Sequence, residues 1–563
     1  MQMTGVNARV LLTVALATVV ACGTPAGDEA STSDAAPSSG AAPPAIVTPG
    51  LDGTLLLEEI QALASDEFEG RAPGSAGEDL TVAYLTEQFG ALGLTPGNPD
   101  GTWVQSVPLV GITPQPGDTL SVTGGGASRT FQPGTDYVAL TKHVVDEVDV
   151  DAEFVFVGYG AVAPEYNWDD FGDVDVRGKI LLFLVNDPPV DDIFGGPAMT
   201  YYGRWTYKHE IAAEKGAAGS FVIHETDPAG YPWEVVGSSP HSESFDLIAA
   251  DNNLSRAAVE GWIQRSAAEA IFEMAGLDFE TLKQQAAERS FQAVPLGVEG
   301  RTEVHNTRRT IDSQNIVAKL EGTDAPDEVV MYVAHWDHLG RDDALEGDQI
   351  FNGAADNASG TAGLIELARA FAQAEPRPRR SILFLAVTAE EQGLLGSKHY
   401  AENPLYAPGQ TVAAINMDVL NQWGRTRDLT IVGMGQSELD RYAGEVADRL
   451  GRILNADPEP EKGFYYRSDH FSFAKAGIPA FYADPGIEYL DKPDGYGIEK
   501  REEYTANDYH AVSDEVKPDW DLAGALEDLT FSYELGAALA STDEWPEWSE
   551  TSEFRAIRET QRP

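Results

Sequence analysis

Three apolar runs constrain this chain most. Val329 to Ala334 (VVMYVA), Ile382 to Val387 (ILFLAV) and Ala413 to Met417 (AAINM) have the length and composition of strands buried on both faces. Gly360 to Ala374, a helical stretch ended by Pro376, separates the first two. Strand, crossover helix and strand make a β-α-β unit, which predicts a parallel sheet. Each run leads directly into polar residues: His335-Trp336-Asp337-His338 after the first, Glu390-Glu391 after the second, Asp418 after the third. Loops at the carboxyl ends of parallel strands share one crevice, so these side chains are expected to converge. Asp356, in the loop before the crossover helix, falls on the same edge, and His510 is a fifth candidate.

Clustered carboxylates repel one another unless a cation lies among them. The chain has a single cysteine, which excludes a disulfide framework, a cysteine-rich zinc module and an iron–sulfur cluster. Any metal must sit on histidine and carboxylate, a donor set suited to zinc. The net charge of −53 repels a phosphate backbone, so no nucleic-acid partner is expected. No G-x-S-x-G, G-x-x-x-x-G-K-[ST] or G-x-G-x-x-G pattern occurs. Ser468-Asp469-His470 holds the residue types of a hydrolase triad, but successive residues cannot face one another as a triad must.

The ordered series His335-x-Asp337, Asp356-Asn357-Ala358-Ser359-Gly360, Glu390-Glu391, Asn416-Met417-Asp418 and Tyr509-His510 resembles the co-catalytic zinc peptidases of the M28 aminopeptidase family. Phe68 to Gly74 (FEGRAPG) extends the similarity towards the N-terminus. The resemblance implies an α/β fold, a three-layer α-β-α arrangement around a mixed, mainly parallel sheet, with two divalent metal ions, expected to be Zn2+. Asp356 would bridge them. His335 and Asp418 would complete one metal's ligands, and Glu391 and His510 the other's. Glu390 would be the general base and Asp337 would orient His335 from behind. The family's cis peptide would fall at Asp356–Asn357. His470, Tyr466 and Trp336 are candidates for the substrate pocket, while His338 has no assigned role. The activity implied is removal of N-terminal residues from peptides with a free N-terminus. Glutaminyl cyclase action, carboxypeptidase action on acidic dipeptides, and a non-catalytic binding relative stand as alternatives on the same fold. Arg425 and Arg427, just after Asp418, keep the acidic-dipeptide alternative open.

The rest of the chain divides around this core. Val10 to Ala21 is an apolar run after Arg9, too short to span a bilayer comfortably, and reads as a signal peptide over residues 1–21. Val19-Val20-Ala21-Cys22 resembles the lipobox of bacterial lipoproteins, implying lipidation of Cys22. The expected location is then the outer membrane, facing the periplasm or the cell surface, with the lipid as the only membrane contact. A soluble periplasmic or secreted protein is the alternative. Residues 22–50, rich in Ala, Pro, Ser and Thr, read as a flexible tether. Residues 51–110 and 299–545 are assigned to the catalytic domain. Residues 111–298, with short β-rich runs, resemble the protease-associated domain inserted in this family, a surface for protein contacts. Residues 546–563 read as a loose polar tail.

Overall fold

The computed structural model describes residues 48–562 apart from 116–118, 191–192, 195, 197, 230 and 238–242. The expected signal peptide, Cys22 and nearly all of the tether lie outside the described residues. Two helices come first. Asp52 caps Gly53–Leu63 by accepting from the Thr54 and Leu55 amides, and Ser75 caps Ala76–Ala91. Leu56, Ile60, Leu63, Leu85 and Phe89 form their buried faces, and Gly93 (φ +83°) turns the chain away in a conformation that costs glycine nothing.

The three apolar runs form the strands Ala325–His335, Arg380–Val387 and Thr411–Asn416. They lie side by side and parallel, with Ala325–His335 in the middle. Ala480–Pro485 adds a fourth parallel strand beyond Thr411–Asn416. Outside these four the pairing turns antiparallel, to Val294–Leu320 on one edge and Asp428–Val432 on the other, so the sheet is mixed with a parallel centre. The crossover helix Gly360–Ala372 and the long helix Ala523–Ser541 share one apolar layer with the two N-terminal helices. His470–Lys475 packs in a second layer with Leu383, Leu385 and Val387. This is the three-layer α/β architecture.

Residues 120–305 build a second sheet, in which Glu147–Phe156, Ile180–Leu184, Gly219–His224 and Val259–Gln264 run parallel. It is an α/β layer rather than a purely β one. Ile211 and Ala212 of helix Trp205–Glu214 cover one face beside Phe183 and Val222, and Ala267 and Ile271 of Arg265–Met274 cover the other beside Leu182 and Phe221. One 27-residue strand, Val294–Leu320, passes through both sheets: its first half pairs with Glu147–Phe156 and its second with Val104–Pro114. The expected insert boundary at 111 therefore falls inside a strand of the main sheet, and Ser244–Leu247 returns from the insert to pair beside it. All described residues belong to one compact unit.

The C-terminal segment differs from its sequence reading. Instead of a loose tail, Trp548, Phe554 and Arg558 are buried, and a last helix runs Arg555–Gln561. Trp548 Nε1 donates to the Gly477 carbonyl at 3.0 Å, and Arg558 donates to the carbonyls of Pro408 (2.6 Å) and Thr411 (3.0 Å). A few large side chains among many polar ones suffice to dock the segment. Among the described residues no helix is long and apolar enough to cross a membrane.

Candidate metal centre

Register explains the convergence. His335 stands opposite Val387, and Val333 opposite Asn416. The three strands thus end nearly flush, and the residues just past each end occupy one small volume. Asn357 ties the Asp356 loop to the Asp418 loop: its amide donates to the Met417 carbonyl (3.1 Å) while its oxygen accepts from the amides of Gly360 (2.9 Å) and Val419 (3.3 Å). The Asp356–Asn357 peptide is cis, as the family resemblance implies.

Asp356 faces two ways. Its Oδ1 lies 3.3 Å from His335 Nε2 and its Oδ2 lies 3.4 Å from His510 Nε2. On the His335 side, Asp418 Oδ1 is 3.3 Å and Glu390 Oε2 is 4.0 Å from the same Nε2. On the His510 side, Glu391 Oε2 is 2.9 Å from Nε2. Two sets, His335–Asp356–Glu391 and His335–Glu390–Asp418, have donor atoms close enough together to share an ion. Four carboxylates and two imidazoles with their donor atoms turned inward fit divalent cations such as zinc.

The electrostatics point the same way. Burial works against charge on His335, but the Glu390 and Asp418 carboxylates outweigh it and hold the imidazole well above its usual pKa. His510 is likewise pushed up to about 10, Asp356 and Glu391 overcoming its burial. Asp356 is held below the ordinary carboxylate range, its hydrogen bonds to His335 and His510 outweighing its burial. Glu390 is raised well above that range, chiefly by burial and then by Asp418 and Glu391. A carboxyl so placed binds a proton more readily than a free carboxylate does.

Buried Asp337 lies behind the site. Its Oδ1 is 3.8 Å from His335 Nδ1 and accepts from the Glu390 amide at 3.0 Å; its Oδ2 accepts from the Glu391 amide at 3.4 Å. Burial pushes its pKa up to about 8.

The structure adds groups that the sequence reading passed over. His338, left without a role, is buried with Nδ1 2.6 Å from Glu391 Oε1. Asp514 accepts from the amides of Ala355 (3.0 Å) and Asp356 (3.1 Å), and Ser468 donates to Asp418 Oδ2 at 2.7 Å. Arg71, in the FEGRAPG segment, is fully enclosed and donates to the carbonyls of Leu63, Trp336, Asn352 and Gly353, lacing the N-terminal turn to the loops that carry His335 and Asp356. The only sequence signal for these groups was nearness to a motif.

The substrate-pocket candidates need correction. Trp336 and His470 are wholly buried and Tyr466 nearly so. Successive strand residues point to opposite sides, so once His335 faces the crevice Trp336 faces the helical layer, where its Nε1 donates to the Gln314 carbonyl. His470 packs between Tyr465 and Tyr482, and Tyr466 packs on Tyr201 and Phe471. Tyr509 is exposed instead, its ring stacked on His510 with centroids 3.9 Å apart. Arg425 pairs with Glu527 and Arg427 with Glu488, so each has a carboxylate of the protein itself.

Residues 315–533 match the sequence profile of Peptidase family M28. Aminopeptidase NAALADL1 of Mus musculus is 36% identical over 130 residues, 22% of this chain and 16% of that protein. A probable zinc metalloprotease of Pyrenophora tritici-repentis is 37% identical over 111 residues, 20% of this chain and 25% of that protein. The chain thus spans a quarter or less of these relatives' length. Among solved structures, an aminopeptidase from Aneurinibacillus sp. strain AM-1 aligns over 89% of this chain and 96% of its own, at 20% identity and a TM-score of 0.48.

Proposed function

We propose that this chain is an exported di-zinc aminopeptidase that removes N-terminal residues from peptides. The observation that carries the reading is the two-sided Asp356: one oxygen faces His335 and Asp418, the other faces His510 and Glu391. On this reading His335, Asp356 and Asp418 hold one ion and Asp356, Glu391 and His510 the other. Bound there, the ions supply a polarised substrate carbonyl and an acidified water. Glu390 takes the proton from the attacking water and returns it to the leaving amine, a task suited to its raised pKa. The Asp337 backbone carbonyl, 3.2 Å from His335 Nδ1, keeps His335 turned into the crevice, and its carboxylate fixes the backbone under Glu390 and Glu391. The acidic crevice favours a free α-ammonium group, which supports cutting from the N-terminus.

The proposal extends to the parts outside the crevice. The leader and Cys22 place the enzyme on the outer membrane through a lipid, and residues 111–298 act as a protease-associated domain that meets protein partners. The whole is tested by metal analysis of the purified full chain with assays on aminoacyl-anilides, N-terminally blocked peptides, N-terminal glutamine peptides and acidic dipeptides. About two zinc ions and release of unblocked N-terminal residues, abolished by chelator, are expected. One zinc with ammonia release would make it a cyclase. Absence of metal and turnover would make it a binding protein.

A further inference from the structure

Each side of the metal centre has one carboxylate of its own, and in both the two oxygens divide their tasks. Asp418 turns Oδ1 to His335 at 3.3 Å and accepts from the Ser468 hydroxyl at 2.7 Å through Oδ2. Glu391 turns Oε2 to His510 at 2.9 Å, while its Oε1 lies 2.6 Å from His338 Nδ1. An ionised carboxylate only accepts, so Nδ1 carries the proton of that bond. A hydroxyl can rotate to follow its acceptor, but a ring N–H points one way. Glu391 is therefore held by the stiffer of the two anchors.

The ring that holds it is walled in. His338 is 1% exposed, and a Cβ built on Gly353 would stand 2.5 Å from His338 Cγ. The ring has its place because residue 353 is glycine, which also adopts the positive φ of +53° found there. His338 Nε2 is buried and meets no partner, so among the described residues the ring's hydrogen bond is the one to Glu391. The ring also meets that of His510 edge to face, with centroids 5.9 Å apart. His338 thus touches Glu391 and His510, the two residues assigned to the second ion and not to the first. Asp337, one position earlier, accepts from the Glu391 amide at 3.4 Å, so consecutive residues grip both the backbone and the side chain of Glu391. A ligand fixed through one oxygen is already oriented to offer the other.

Resting on the two-ion reading above, we propose that His338 is a positioning residue for the His510-side ion alone. It fixes Glu391 with Oε2 turned inward, and without it that ion is lost while the His335-side ion stays. The segment from His335 to His338 then serves both ions, the first directly and the second through Glu391.

The test titrates the metal-free full chain with Co2+ against a competing chelator, following visible absorption and metal content. Leu and Asn have nearly the same shape, but Asn carries an N–H donor where His338 has Nδ1. In His338→Leu the second uptake step should weaken by about 10–100-fold while the first keeps its affinity. His338→Asn should recover most of the second step. Thermal unfolding of the metal-free variants shows whether the fold is kept, and His338→Ala replaces His338→Leu if that variant does not fold. An unchanged second step in His338→Leu overturns the proposal and leaves the two-ion reading standing. Both steps weakening together, or no recovery in His338→Asn, overturns it as well. A single uptake step in the unaltered chain overturns the proposal and the two-ion reading together. Two steps that respond as expected in a chain that cleaves no peptide support the role of His338 and end the aminopeptidase reading alone.

Discussion

Asp337 accepts a hydrogen bond from the Glu390 backbone at 3.0 Å, and its second oxygen takes the next amide of the same loop. One buried carboxylate thus sets the position of the base-bearing loop while standing 3.8 Å from His335 Nδ1. Removing it frees that loop, which also carries Glu391, while the residue-337 backbone carbonyl stays 3.2 Å from His335 Nδ1. Asp337→Ala is expected to lower zinc affinity by about 10–100-fold, the usual effect of losing a group that orients a ligand. Competition titration against a zinc chelator measures this, and unchanged affinity would refute the positioning role.

Glu390 has the raised proton affinity of a base, and Glu390→Gln keeps its shape while removing the proton acceptor. Metal content should stay near that of the unaltered protein, and turnover should fall by about 10²–10⁴-fold. Parallel metal analysis and steady-state kinetics check both halves. A variant with undiminished turnover would require another base.

Arg71 satisfies four carbonyls inside the protein. Arg71→Met fills much of the space but leaves those carbonyls without donors, at a cost of about 1–3 kcal/mol for each one that stays buried. Urea denaturation should show a loss of at least about 3 kcal/mol. A smaller loss would mean that water replaces the guanidinium.

Glu553 gives a pH dependence away from the metal centre. It takes a hydrogen bond from Tyr466, and burial, with Glu165 nearby, pushes its pKa up to about 8 from 4.5. The folded state therefore binds this proton more tightly than the unfolded chain does. Stability from this group is complete below pH 4.5 and is lost as pH rises towards 8. The loss is at most about 1.4 kcal/mol per pH unit for one proton. Glu553→Gln should match the unaltered protein in melting temperature near pH 5 and exceed it near pH 8. Thermal unfolding across that range measures the difference, and parallel curves would refute the assignment.

Much of the main sheet was legible because strands buried on both faces must be apolar throughout, as VVMYVA and ILFLAV are. The donors after them were legible because parallel strands deliver their carboxyl ends to one edge. The seam was not. Tyr201 and Tyr466 meet with ring centroids 5.9 Å apart from positions far apart in the chain, and nothing in either local pattern names the other. The C-terminal segment was misread for a related reason: composition averages over Trp548, Phe554 and Arg558, the residues that dock it.

By itself the sequence determined which residue types stand at the strand ends and that their chemistry calls for a cation, because periodicity and donor chemistry are local properties. Only the tertiary structure decided that Asp356 turns one oxygen to His335 and the other to His510, and that His338 backs Glu391. Those relations depend on register, on loop paths and on the packing of segments hundreds of residues apart, which no local pattern encodes.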